Sequence, residues 1–119
     1  MGSPANAIIA RFEPMRSLAN GSLTGTFVMV GTPFEHPSRF FKIFNSTNVE
    51  IDISTDGIEV HDSLPPSVGE IYDTSSNRNE IGGTLAFPAG TRIYVRITAG
   101  GGTPSLGRVT LTTIFGSDA

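Results

Sequence analysis

Apolar and polar residues alternate in short runs along most of the chain, which is the spacing of strands with one buried face. The clearest run covers residues 49–54, where Val49, Ile51 and Ile53 share one face and polar residues occupy the other. The pattern predicts eight strands, at residues 26–30, 39–45, 49–54, 58–61, 68–72, 84–87, 92–98 and 108–115.

Turn-forming residues separate these runs in segments such as NSTN, LPPS, PAG and AGGGTPS. No segment has the period of a helix of about ten residues or more, and strands without helical crossovers pair antiparallel. The predicted fold class is therefore all-β: an antiparallel two-sheet β-sandwich or jelly roll of about eight short strands, with the sandwich favoured. Its core is predicted to include Ile93, Val95, Ile97, Val109 and Leu111.

The first part of the chain lacks a sustained period, although it contains several apolar residues. We therefore predict an extended N-terminal arm at residues 1–24 and a β-sandwich domain at residues 25–119. Apolar side chains on an arm need a surface, which either their own domain or a neighbouring subunit can provide.

The strand predicted at residues 39–45 is apolar on both faces, because Phe41 and Ile43 share one side while Phe40 and Phe44 share the other. Such a strand either lies at the centre of a structure covered on both faces or turns one face toward another chain. We predict an interface with other subunits, formed by Ile8, Ile9, Phe12, Met15, Phe40 and Phe44.

Charge and composition narrow the possible partners. The 119 residues carry a net charge of −3 with eight basic residues and no basic run, so we expect no nucleic-acid partner. No stretch approaches the roughly 18 apolar residues of a membrane span, and no secretion signal is recognisable, so we expect a soluble, cytoplasmically made chain with no membrane partner. The lack of cysteine excludes disulfides and thiolate zinc sites, which leaves stability to the core or to partners.

The stretch DISTDG, residues 52–57, matches the first half of a helix-loop-helix calcium loop. The bidentate Glu required at the twelfth position is replaced by Ser63, and the preceding residues alternate like a strand. We therefore interpret the stretch as a strand end and hairpin turn, with Asp52 and Ser54 facing solvent and the glycine left-handed. A surface calcium held by Asp52 or Asp56 together with a second loop is the alternative.

Candidate catalytic groups are few. His61 adjoins Asp62, but neighbours on a strand point to opposite faces, and no Gly-x-Ser-x-Gly elbow is present. His36 and His61 are not spaced as a local metal-binding pair. We expect a protein without catalytic residues, metal or cofactor.

The arrangement of strands and turns over residues 17–115 resembles small β-rich virion structural proteins of tailed bacteriophages. The similarity lies in SLANGSLTGTFVMVGTPFEHPSRFFKIFNSTNVEIDISTDG, then EIYDTSSNR, then FPAGTRIYVRI and a last strand. It implies a component of the virion, either a head decoration or cement protein or a subunit of the head-tail junction or fibre attachment. The implied partners are further copies of the chain and other virion proteins, such as major capsid, portal, neck or tail proteins, and it implies no catalytic residues.

A β-sandwich module for carbohydrate binding or host attachment is the alternative function. Its binding face would comprise Tyr72, Tyr94 and the loops around Asp56 and Asp73. The chain has no Trp, the residue that often forms flat sugar-binding platforms, which weighs against this class.

Overall fold

A computed structural model describes residues 8–74 and 86–118. Within these ranges the chain forms nine strands, one short 3-10 turn and no α-helix, which confirms the predicted all-β class. The strands are β1 (Ile8–Phe12), β2 (Arg16–Ala19), β3 (Val28–Met29), β4 (Phe40–Asn45), β5 (Ile51–Ser54), β6 (Asp62–Leu64), β7 (Val68–Asp73), β8 (Tyr94–Ile97) and β9 (Arg108–Asp118).

The strands form two antiparallel sheets. Sheet A has the order β1-β9-β4-β7, with β2 also paired to β9, and sheet B has the order β3-β8-β5-β6. Strands that follow one another along the chain lie in different sheets at every connection except β1 to β2 and β5 to β6. These crossings link the two layers of the predicted sandwich.

The core comes from alternate residues of both sheets. Val109 and Leu111 of β9 are buried, as the alternation predicts, and Phe41 and Ile43 of β4 are buried with them. Sheet B and the segments beside it contribute Ile51, Ile53, Leu64, Ile93 and Val95. Burial of an aliphatic or aromatic side chain of this size stabilises a fold by about 1.5–3 kcal/mol. Ile97, also predicted for the core, is only partly buried and packs at its margin.

The N-terminal segment packs along one edge of β9. Phe12 pairs with Ile114 and Arg16 pairs with Leu111, so three residues of the first segment oppose two residues of β9. This extra residue is a β-bulge, and Pro14 lies within it. β1 and β2 are therefore one interrupted strand, which the eight predicted strands did not include, because the bulge shifts the alternation by one residue.

The strand predicted at residues 58–61 was also wrong. These residues belong to the loop between β5 and β6, and Ile58 is 78% exposed. The carboxylate of Asp56 accepts hydrogen bonds from the backbone N–H groups of Ile58 and Glu59, which removes them from a ladder. For the strand predicted at 84–87, residues 84 and 85 lie outside the described ranges, while Phe87 forms an isolated bridge with Ser38.

Candidate subunit interface

Two buried charges meet at the bulge between β1 and β2. Arg16 Nη2 lies 2.8 Å from Glu13 Oε1, and both side chains are almost completely buried. The guanidinium also donates hydrogen bonds to Thr113 Oγ1 and to the carbonyl oxygens of Thr32 and Pro33. The ion pair thus joins the N-terminal segment to β9 and to the loop after β3.

The carboxylate of Glu13 is held in its ionised form. Burial raises the pKa of Glu13, but hydrogen bonds from Arg16, His36, the Glu35 backbone and Thr113 outweigh this effect and lower the pKa to about 2. The ring of His36 stacks on Phe115 with 3.7 Å between centroids. A carboxyl with such a low pKa is a poor general acid at neutral pH, so this cluster supports structure rather than proton transfer.

A second polar cluster overturns the prediction that Asp52 and Ser54 face solvent, because both are buried. Arg96 Nε donates to Asp52 Oδ2 at 3.0 Å, while Thr98 and Ser63 donate to Oδ1. Burial raises the pKa of Asp52, but these hydrogen bonds and the charge of Arg96 lower it overall. The guanidinium of Arg96 lies over a Phe27 ring at 4.4 Å, so apolar surface also covers this side of sheet B.

The stretch DISTDG forms a turn whose side chains bond to its own backbone. Asp56 Oδ1 accepts from Ile58 N and from Ser54 Oγ, and the Ser54 oxygen in turn accepts from Gly57 N. Gly57 has a φ of 74°, the left-handed conformation expected for it. Hydrogen bonds from backbone N–H groups lower the pKa of Asp56 to about 2. In the described part of the chain, no group of His, Cys, Asp and Glu side chains is arranged to hold a metal ion.

The remaining candidate catalytic groups bond to separate partners. His61 Nδ1 accepts from the backbone N–H of Thr55 at 3.0 Å, whereas Asp62 accepts from the Tyr72 hydroxyl. Burial and the neighbouring Asp62 raise the pKa of Tyr72. His61 and Asp62 therefore serve different contacts, and among the described residues their arrangement does not resemble a catalytic triad.

Exposed apolar residues collect on the face of sheet A that points away from the core. Phe12 of β1 pairs with Ile114 of β9, and Ile114 pairs with Phe40 of β4, which forms one row across three strands. Directly paired residues project to the same side of a sheet. Phe44 lies on this side as well, because it alternates with buried residues along β4. Ile71 also lies there, because it pairs with an exposed residue of β4. We call these five residues the outer face.

The exposure of this face varies among its members. Phe12 is 70% exposed and Ile71 is 59% exposed, whereas Phe40 and Ile114 are intermediate. Phe44 lies over Gly69 on the neighbouring strand, because a Cβ at Gly69 would clash with the Phe44 ring. The glycine thus leaves room for an aromatic ring to lie flat on the sheet.

The predicted interface residues occupy one end of sheet A and its outer face. Ile8 begins β1 opposite Asp118, and Ile9 pairs with Ser117. Met15 lies in the bulge and is 53% exposed. Phe12, Phe40 and Phe44 belong to the outer face, as described above.

Sequence reasoning missed Ile71 and Ile114. The run of residues 108–115 marked Ile114 as part of a strand, but its position beside Phe12 and Phe40 depends on the strand register. Register follows from pairing between distant segments, which the pattern of a single strand does not contain.

Comparison with known proteins gave no match: no protein-family model fits the chain, and no curated protein and no solved structure is significantly similar to it. Within the described residues, the structure has no helix long and apolar enough to cross a membrane.

Proposed function

We propose that this chain is a non-enzymatic structural protein of a tailed-bacteriophage particle, which acts through subunit contacts as a capsid decoration or cement protein or as a head-tail junction or tail component. The observation that carries the proposal is the row of Phe12, Ile114 and Phe40 across the outer face of sheet A, in which Phe12 is 70% exposed and the other two are partly exposed. Apolar residues gathered on one sheet face are typical of a surface that meets another protein.

The polar groups support the same conclusion. Glu13 and Asp52, the buried carboxylates, bond to Arg16 and Arg96 and to neighbouring hydroxyl groups. These interactions hold the two sheets and the bulge in place. The outer face combines exposed apolar residues with Lys42 and Asp73, which the strand register places on the same side. Such a mixed face suits binding between proteins better than chemistry on a small molecule.

The carbohydrate-binding alternative has less support. Tyr72 packs against the core and bonds to Asp62 through its hydroxyl, so its ring is not an open platform. The Tyr94 ring lies beside Gly57, whose added Cβ would contact it at 3.5 Å. Flat, accessible aromatic rings are the feature that sugar-binding sites use.

The test is incorporation into virus particles. Particles are purified on a density gradient from infected cells that supply the wild-type chain, and peptide intensities are compared with those of the major shell protein. An abundance near that of the shell protein would identify a decoration protein, while a much lower abundance would identify a neck or tail component. Absence of the chain from particles would overturn the proposal.

A matched pair of variants tests the outer face itself. Phe12→Ser replaces a 70% exposed residue of that face, whereas Ile58→Ser replaces a 78% exposed residue of the β5–β6 loop. We expect Phe12→Ser to reduce incorporation at least about tenfold, equivalent to about 1.4 kcal/mol, and Ile58→Ser to leave it unchanged. Equal incorporation of both variants would contradict a role for the outer face.

A further inference from the structure

Sheet A extends beyond its centre as a two-stranded ribbon. β4 pairs with β9 only as far as Ile114, whereas β1 continues along β9 to Asp118. We call β1 and residues 114–118 of β9 the ribbon. A ribbon of two strands gains little stability by itself, so a third strand on its edge would add to it.

The backbone of β1 presents hydrogen-bonding groups away from β9. Glu13 N donates to Thr113 O, which makes Phe12 and Ile114 a non-hydrogen-bonded pair of the antiparallel ladder. Pair types alternate along such a ladder, so Ala10 and Gly116 are also a non-hydrogen-bonded pair. The N–H and C=O of Ala10 therefore point to the outer edge of β1.

This edge differs from the other sheet edges in the described ranges. β3 has two residues and β6 has three, lengths that limit strand addition. β7 carries Glu70 and Asp73. β1, with the sequence IIARF, has five residues and one charge, Arg11. It contains no Pro, no Lys and no internal bulge, which are among the usual features that protect an edge.

We propose that β1 pairs antiparallel with β1 of a second copy of this chain, around a two-fold axis at Ala10. This inference rests on the proposed function, because it names the partner that the proposed subunit interface binds at this end of sheet A. The pairing would join the two copies of sheet A into one continuous sheet, with the two outer faces on the same side.

The second copy fits because the strand is self-complementary. The bulge at Pro14 ends the regular edge after Phe12, so among the described residues the available segment is 8–12 and its midpoint is Ala10. In a two-fold antiparallel pair, each outward-pointing N–H and C=O of one copy meets its complement in the other. Ala10 places a small side chain at the axis, and the row that contains Phe12 continues into the second copy.

The first experiment measures the mass of the purified full chain by light scattering and sedimentation. We expect twice the monomer mass of 12.6 kDa for the wild type. Ala10→Pro removes the outward N–H without touching the ladder to β9, and we expect it to raise the dimer dissociation constant at least about 100-fold. Ala10→Val keeps the N–H and should remain dimeric, and circular dichroism checks that both variants fold.

A second variant keeps the test decisive if Ala10→Pro fails to fold. The chain has no cysteine, so Ala10→Cys introduces a single thiol. Residues that form a hydrogen-bonded antiparallel pair have Cα atoms about 5.5 Å apart, within the range of a disulfide. Mild oxidation should therefore link two Ala10→Cys chains, while Ser17→Cys, an exposed position on β2, should stay monomeric on a denaturing gel.

The outcomes separate this inference from the proposed function. A monomeric wild type, or a dimer that survives Ala10→Pro and gives no Ala10→Cys link, would overturn the β1 pairing. If a monomeric wild type is found in virus particles, the strand pairs there with a different protein or not at all, and the proposed function stands. If the dimer forms as expected but particles lack the chain, the proposed function fails and the pairing stands.

Discussion

At the scale of single residues, Glu13 and Arg16 form a buried ion pair in which each charge depends on the other. Both charges are buried beside Thr113, and each has its hydrogen bonds supplied by the chain. A buried pair of this kind adds little net stability compared with apolar residues, but removal of one member leaves the other charge without compensation. The pair therefore specifies the position of the bulge.

Arg16→Met should lower the free energy of unfolding by about 3–5 kcal/mol, because the carboxylate of Glu13 would remain buried without its counter-ion. Urea unfolding followed by circular dichroism measures the change. Arg108→Met is the matched control, since Arg108 is exposed and should change the free energy by less than about 0.5 kcal/mol. A small effect at Arg16 would show that water or a rearranged neighbour compensates the charge.

The low pKa of Glu13 also makes stability depend on pH. The pKa is lowered from 4.5 to about 2 on folding, so the folded state binds fewer protons than the unfolded state between these values. Its contribution, about 3 kcal/mol, is complete above about pH 5 and is lost as the pH falls toward 2. Urea unfolding of wild type and Glu13→Gln is measured at pH 6, 4 and 2.5. The free energy of unfolding should fall more steeply with falling pH in the wild type than in Glu13→Gln, and parallel pH profiles would contradict this account.

At the scale of strands, the features that could be predicted are those set by the residue pattern within one strand. The apolar run of β4 around Phe41 and Ile43 and the alternation within β9 around Val109 and Leu111 are local, and they identified both strands. The bulge at Pro14 was not predictable in this way, because it breaks the alternation at the point where two strands join.

Two other errors arose from polar side chains whose hydrogen-bond partners the pattern of a single strand does not show. Asp56 holds the N–H groups of residues 58 and 59 in a turn, so the apparent strand of Ile58 and Val60 does not form. Asp52 looked like a solvent-facing residue but bonds to Arg96 on β8, a neighbour that only the sheet pairing brings near. The row of the outer face was only partly predicted for the same reason. Its aromatic members can be identified within single strands, but the register that aligns the strands cannot.

The connection into β9 depends on close approach of two backbones. Gly107 has a φ of 79°, and a Cβ there would overlap the backbone of Ser46. Gly107→Ala should therefore lower the free energy of unfolding by at least about 2 kcal/mol. Gly21→Ala is the control, because nothing lies within 4 Å of its added Cβ. Thermal unfolding of both variants measures the change, and the midpoint of Gly21→Ala should stay close to that of the wild type. Similar midpoints for both variants would show that the loop beside Ser46 moves to accept the methyl group.

At the scale of the whole molecule, the described part of the chain is elongated. Its radius of gyration is 16.1 Å and its principal extents are 57 × 28 × 21 Å, whereas a compact chain of this length has a radius near 13–14 Å. The extension follows from the eleven residues of β9 and the ribbon at its end. An elongated small domain buries less of its own surface, which makes a partner more valuable to its stability.

If two copies pair through β1, thermal stability should depend on protein concentration. The wild-type midpoint should rise by several degrees between about 1 and 100 μM, because association favours the folded state, and Ala10→Pro should show no such rise. Differential scanning calorimetry measures both. A wild-type midpoint that is independent of concentration would contradict the dimer.

The central position of β9 in sheet A has a consequence for synthesis. β9 contacts β1, β2 and β4, and all three precede it along the chain. Until residues 108–118 emerge from the ribosome, β1 and β2 have no partner in sheet A, β4 can pair only with β7, and the complete sheet cannot assemble. Pairing between such distant segments is slow. The nascent chain therefore leaves β1 and β2 without their partner strand for most of its translation, and a chaperone that shields extended segments should raise the yield of folded protein.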